Sequence, residues 1–182
     1  MVVMDDVLAD PVAYRQAVLA RPFSDVSFGD VCFRGIQVAR DDTFTDRLQQ
    51  LFPQLTPTLS FFRQSPLGQV EPNYVHTDRD MGDWTAILYL NPQPLAGDGT
   101  TFWRHRASGA IGSEASDSEA LLEEQRAWRD LAQWEPVGSI AAKFGRAVVF
   151  PADRFHSRAI PENYGTGDDA RLVQVVFGIG AL

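Results

Sequence analysis

The sequence predicts a mainly β protein with helices on its N-terminal side, and three observations carry that reading. From Thr58 onward, short apolar or β-branched runs are cut by Gly, Pro and Asn turn residues. Two stretches before Thr58 instead carry helical spacing behind acidic capping residues. Hydrophobic residues make up 45% of the 182 and charged residues 22%, the balance of a folded globular chain large enough for one domain with its own core.

The first helix is expected after Asp10-Pro11, an N-cap followed by proline in the first turn, with Val12, Ala13, Val18 and Leu19 as its apolar material and an end near Arg21-Pro22. A second follows Asp41-Asp42, where Phe44, Leu48, Leu51 and Phe52 fall at i, i+4, i+7 and i+8 before Pro53. Residues 1–57 thus form a helical support. Strands are expected over Thr58–Phe62, Tyr74–Thr77, Thr85–Leu90, Thr100–Trp103, Ser139–Ala142, Ala147–Phe150 and Leu172–Ile179. Such a series suits a sandwich, a barrel or a jelly roll alike. Between two strands, Ser116 and Glu119 form a capping box, and Leu121, Trp128, Leu131 and Ala132 give a helical stripe ending at Pro136. This insertion, spanning about 107–135 with its small, polar leader, reads either as a lid over the barrel mouth or as a surface helix.

Sixteen Lys and Arg against 24 Asp and Glu give a net charge of -8, a field that repels phosphate backbones and anionic lipid. Neither nucleic acid nor membrane is an expected partner. No run of about 18 apolar residues offers a membrane span, and Met1-Val2-Val3-Met4 meets Asp5-Asp6 before an export signal can develop. The single cysteine, Cys32, lies between Val31 and Phe33, so no internal disulfide can form; a buried core thiol in a cytoplasmic protein is the expectation. Nothing in the sequence sets an oligomeric state.

Two of the three histidines lie in suggestive places, Tyr74-Val75-His76-Thr77-Asp78 and Phe150-Pro151-Ala152-Asp153-Arg154-Phe155-His156. On a strand, His-x-Asp puts imidazole and carboxylate on one face, because side chains alternate with a period of two. A further ligand from a distant strand would complete a two-histidine, one-carboxylate facial triad, the donor set of non-haem Fe(II) oxygenases. Standing alone, each histidine reads better as a hydrogen-bonded loop or turn residue.

The flanking segments, over about residues 72–178, resemble the core of the Fe(II)/2-oxoglutarate-dependent dioxygenases, closest in texture to the prolyl-hydroxylase-like branch. The matching elements are His76 and Asp78, then Tyr89-Leu90-Asn91, Gly97-Asp98-Gly99-Thr100-Thr101-Phe102, Ala147-Val148-Val149-Phe150, His156 and Arg171, in that order. The resemblance implies a double-stranded β-helix of the cupin-like jelly-roll kind over residues 58–182. It implies Fe(II) held by His76, Asp78 and His156, 2-oxoglutarate as cosubstrate with O2, and hydroxylation of an unactivated C–H bond in a peptide, amino acid or small molecule. It also implies that Arg171, aided by Tyr89, grips the distal carboxylate of 2-oxoglutarate. A planar guanidinium suits a carboxylate, and an arginine sharing a strand face with Val173, Val175 and Phe177 needs an anion, from a ligand or from the protein.

Two departures from the family pattern matter. Fifteen positions separate His156 from Arg171, a longer interval than usual, which makes Arg158 a rival anchor. The usual Gly-Gly turn is Gly97-Asp98-Gly99, a change expected to alter the turn without touching the iron. His105, at a strand end, reads as a surface residue or a substrate contact. Trp84, Trp103, Trp128 and Trp134 read as core, lid or pocket lining. Two other classes stay open: a jelly-roll protein that binds a metal or a partner without turnover, and a cupin-type dioxygenase that needs no cosubstrate.

Overall fold

A computed structural model describes residues 1–28, 31–39, 42–69, 74–113 and 130–182. The architecture is a double-stranded β-helix with two helices on its outer face. Its elements run β1 (Val2–Met4), α1 (Pro11–Leu19), β2 (Ser24–Phe28), β3 (Val31–Val38), α2 (Thr43–Leu51), β4 (Thr56–Ser65), β5 (Trp84–Tyr89), β6 (Gly99–His105), β7 (Trp134–Ala141), β8 (Ala147–Pro151), β9 (His156–Arg158) and β10 (Arg171–Ile179). The larger sheet has the order β1-β8-β5-β10-β4-β3-β2, and the smaller has β7-β6-β9. Strand pairing is antiparallel throughout the described ladders.

Both helices start where their caps demand. The Asp10 side chain accepts from the Ala13 N–H at 2.9 Å, and the Asp42 side chain accepts from the N–H groups of Phe44 and Thr45, satisfying donors that a helix start leaves open. Val18 of α1 and Phe44 and Leu48 of α2 then pack on Phe62, Trp84, Ala86, Leu88, Leu172 and Val176 of the large sheet.

β10 is buried on both faces because it lies at the middle of that sheet. Leu172, Gln174 and Val176 face the helices, while Val173 and Val175 face the barrel interior beside Tyr89, Phe102, Val148 and Phe150. Gln174, fully buried, is satisfied by donating to Asp42 Oδ2 at 2.7 Å and to Ser60 Oγ at 2.9 Å, with the Tyr14 hydroxyl 2.7 Å from its Oε1. Asp42 therefore ties α2 to the sheet as well as capping it. Burial opposes its ionisation, yet hydrogen bonds from Ser60, Thr45 and Gln174 hold its carboxyl below the usual range.

Several expectations need correction. Tyr74–Thr77 is not a strand: His76 makes one isolated bridge to His156, and Asp78 precedes a 3-10 turn over Arg79–Met81. Cys32 is exposed, because the outer part of β3 pairs with β2 at the sheet edge and meets β4 only from Ile36 onward. The helical insertion falls largely on residues 114–129, outside those described. At its described end Leu131–Gln133 is a 3-10 turn and Trp134 opens a strand. β1, β2, β3 and β9 were not expected as strands.

A Cβ on Gly178, at the end of β10, would come within 2.2 Å of the buried Trp84 ring and 2.4 Å of the Thr56 carbonyl oxygen. Gly178→Ala should therefore cost about 1–3 kcal/mol, as overpacking in a filled core does, read as a lower urea midpoint with an unchanged slope.

Candidate metal and cosubstrate site

The segment carrying His76 is fixed by backbone rather than by a strand. The His76 N–H donates to the His156 carbonyl at 3.0 Å, the His156 N–H donates back at 2.9 Å, and the Asp78 N–H donates to the Ala152 carbonyl at 2.8 Å. Val75, fully buried, packs with Trp134 and Phe155 and pins the same segment from below. His156 opens β9, where it lies opposite Phe102 of β6 and stacks edge-on against Phe150 with ring centroids 4.7 Å apart.

These constraints bring His76, Asp78 and His156 together, with one ligating atom of each within 4.8 Å of the others. His156 Nε2 lies 3.2 Å from Asp78 Oδ2, and His76 Nε2 lies 3.7 Å from Oδ1. The far side of each ring fixes its tautomer. His76 Nδ1 is 3.2 Å from the Tyr74 carbonyl oxygen and His156 Nδ1 is 2.9 Å from that of Arg154, so each Nδ1 carries the proton and donates it. Both Nε2 lone pairs are thereby aimed at the carboxylate, the arrangement that metal-binding histidines adopt. Thr85 Oγ1 donates to Asp78 Oδ2 at 2.8 Å and orients it. With His76 31% exposed and His156 only 4%, the cluster opens outward on the His76 side.

The electrostatics match a cation site. Burial and the neighbouring His156 push His76 down to about 4. Burial also opposes ionisation of Asp78, but the two imidazoles and the Thr85 hydroxyl outweigh it and bring its carboxyl to about 2. Burial opposes protonation of His156, but the Asp78 carboxylate and the Arg154 carbonyl together outweigh it, so its net shift is upward.

The second predicted cluster lies on the inward face at the start of β10. Arg171 is buried, and its Nε contacts Asp98 Oδ1 at 3.0 Å and Oδ2 at 3.2 Å. Asp98 also accepts from the Gly99 N–H at 2.6 Å and the Tyr164 hydroxyl at 2.9 Å. The Gly97-Asp98-Gly99 departure thus reaches the arginine: the Asp98 carboxylate supplies the anion that burial requires. Tyr89 is buried beside them with its hydroxyl 2.6 Å from Thr100 Oγ1, and burial pushes that hydroxyl up to about 12, keeping it a hydrogen-bond donor. Arg158 is engaged elsewhere, donating to the Ile160 carbonyl at 2.9 Å and the Pro161 carbonyl at 2.7 Å in the loop that follows it.

His105 lies away from both clusters, stacked on Trp134 and bonded to Ser108 Oγ. Trp84 and Trp134 are buried in cores, Trp103 donates to Ser157 Oγ, and Trp128 lies outside the described residues. Sequence reasoning passed over Thr85, whose signal was a lone hydroxyl in an apolar run. It also passed over Asp98 as a partner of Arg171, although a carboxylate in place of a turn glycine was itself the signal.

A sequence model described as a family of unknown function (DUF6445) matches residues 67–172. No curated protein sequence matches the chain. Among solved structures, a prolyl-4-hydroxylase from Pseudomonas putida is 19% identical, with 97% of this chain and 91% of that one covered and a TM-score of 0.54. EvdO2 from Micromonospora carbonacea var. aurantiaca, complexed with 2-oxoglutarate, is 13% identical over 98% and 85% of the two chains, with a TM-score of 0.58. HygX from Streptomyces hygroscopicus with iron bound is 10% identical over 96% and 80%, also at 0.58. At these identities the likeness is one of fold.

Because Arg171 and Asp98 are buried together, Arg171→Met should leave an uncompensated carboxylate and cost about 3–5 kcal/mol. The Asp98→Asn, Arg171→Met double variant should recover most of that loss in urea denaturation, where independent sites would lose more.

Proposed function

This chain belongs to DUF6445, a family of unknown function, and from the site it carries we propose that it is an Fe(II)- and 2-oxoglutarate-dependent oxygenase hydroxylating an unactivated C–H bond of a small molecule, amino acid or peptide. The observation that carries this reading is the convergence of two Nε2 lone pairs and one carboxylate, with both Nδ1 protons already committed to carbonyls. Two imidazoles and a carboxylate fit Fe(II) and leave coordination positions for other ligands. The fold shared with EvdO2, complexed with 2-oxoglutarate, and with iron-bound HygX supports it.

In this reading His76, Asp78 and His156 hold the metal, and Thr85 keeps the Asp78 carboxylate turned toward it. Together, Fe(II) and 2-oxoglutarate supply dioxygen activation coupled to decarboxylation of the diacid to succinate and hydroxylation of the substrate. Arg171 receives the distal carboxylate of the diacid, with the Tyr89 hydroxyl as a second donor. Ile87, Phe102, Val148, Phe150, Val173 and Val175 make the interior apolar, which excludes water from the reacting centre and strengthens polar contacts there. A second reading, an iron dioxygenase that needs no cosubstrate, is favoured by one observation: Arg171 already has a carboxylate partner in Asp98.

Anaerobic titration with Fe(II) and then 2-oxoglutarate should give a weak visible charge-transfer band in the protein and none in Asp78→Ala, followed by succinate release once a substrate and dioxygen are supplied. Substrate oxidation without succinate would establish the second reading. Metal affinity measured with Mn(II) should fall about tenfold for each pH unit below the raised pKa of His156, because the metal must displace the proton facing Asp78. His76, titrating near 4, should add no further slope above pH 5.

A further inference from the structure

Resting on the oxygenase reading above, we propose that Arg63 is a substrate-binding residue and that the substrate is a small carboxylic acid with an apolar body. The argument begins from register. Arg63 of β4 lies directly opposite Val173, and Val173 faces the barrel interior, so Arg63 shares that inward face. Ile36 of β3 flanks it on the other side. The guanidinium Cζ lies 5.8 Å from the centre of the Phe33 ring, a cation held over an aromatic face.

This arginine serves a different part of the interior from Arg171. Arg171 lies opposite Ser65, two residues further along β4, where Asp98 faces it, and the charges of those two groups, with that of Arg146, act on the Tyr89 hydroxyl. The charge of Arg63 acts on His76, the ligand on whose side the metal cluster opens outward. Five N–H donors let one guanidinium serve a ligand beside a protein acceptor, and its planar fork matches a carboxylate. At a net charge of -8 the chain repels a free acid at long range, so a site for one requires a cation close by.

The wall that runs from Arg63 toward the metal cluster is apolar. Phe61, two residues before it, lies opposite Val175 and contacts Phe177 with ring centroids 5.8 Å apart. Beyond it Leu59 lies opposite Phe177, which is level with Thr85, the residue that orients Asp78. At about 3.4 Å per residue, the rows of Arg63 and Thr85 are about 14 Å apart along the strand, an interval that an arginine side chain and an acid with a one-ring body span together. Leu59 is 37% exposed and Val38, in the same row as Phe61, is 59% exposed, so this apolar face is open to a ligand. An apolar face ending in a guanidinium packs the body of an acid and orients it by its head. A neutral substrate would need no arginine on that wall.

The test is proton NMR of probe ligands over the Mn(II)-loaded protein saturated with 2-oxoglutarate, where the lines of a bound probe broaden. The probes are benzoate, phenylacetate, 3-phenylpropanoate and octanoate, each beside its own amide. At least one acid should bind about tenfold or more tightly than its amide, as a charge-assisted pair allows. That preference should vanish in Arg63→Gln, whose affinity for 2-oxoglutarate should stay within about twofold of the unaltered protein's. Arg63→Met, which keeps the apolar stem, serves if the glutamine variant fails to fold by circular dichroism. No acid preferred to its amide, or a preference that persists in a folded variant without the guanidinium, overturns the inference and leaves the cosubstrate reading standing. Loss of 2-oxoglutarate binding in Arg63→Gln with acid binding unchanged assigns Arg63 to the cosubstrate and overturns it as well. If 2-oxoglutarate binds none of the proteins although Mn(II) binds all of them, the cosubstrate reading fails, and the preference for acid over amide, measured without 2-oxoglutarate, still decides this inference.

Discussion

The period-two alternation of β10 is the constraint from which the rest of the molecule follows. A strand at the centre of an antiparallel sheet must find cover on both faces, and a single nine-residue run supplies it by assigning alternate residues to different jobs. Leu172 and Val176 take the helical layer, and Gln174 between them requires polar partners that α2 and β4 provide. Val173 and Val175 take the barrel interior, and Arg171 is carried inward with them. Once the register with β5 and β4 is set, Val173 lies between Tyr89 and Arg63 and Val175 between Ile87 and Phe61. A slip of one residue would turn the arginine onto the helices and Gln174 into the barrel.

The two clusters of chemistry-bearing residues are built by different means. His76 and Asp78 hang on a loop that backbone hydrogen bonds dock onto His156 of β9 and onto Ala152 before it. Arg171 and Tyr89 stand on strands, and Asp98 and Tyr164 reach them from the turns beside those strands, so this cluster is shaped by side chains that meet. The first cluster opens to the outside at His76, whereas Arg171 and Asp98 are buried together on the inward face of the sheet. Electrostatics reinforce it: Asp78 stays ionised in spite of burial because imidazoles face it, whereas Asp98 has the guanidinium and two neutral donors.

Much of this was legible in the sequence where a local rule sufficed. Asp10 and Asp42 announced both helices because each is followed by a helix signal, Pro11 in the first turn after one and Phe44, Leu48 and Leu51 at helical spacing after the other. The apolar runs around Ile87, Val148 and Val175 announced central strands. The His-x-Asp spacing pointed to residues that do converge, although the strand assumed to carry them is absent; the backbone bonds of His76 to His156 and of Asp78 to Ala152 hold them there instead. Illegible were the elements whose stability is borrowed. β1 and β9 are three residues each and exist through their neighbours, and the β2–β3 hairpin lies at an edge where polar residues interrupt any pattern. The Asp98–Arg171 contact joins positions 73 residues apart. Sequence spacing could demand an anion for the arginine without saying which one.

The reciprocal backbone bridge between His76 and His156 makes the frame of this cluster independent of what its side chains are. Main-chain donors and acceptors are the same for every residue but proline, so the residues at 76 and 156 can change while the loops stay docked. A lineage built on this barrel can therefore lose, swap or regain its imidazoles by point mutation without first rebuilding the scaffold. Divergence of chemistry in such a fold need leave little trace in its backbone.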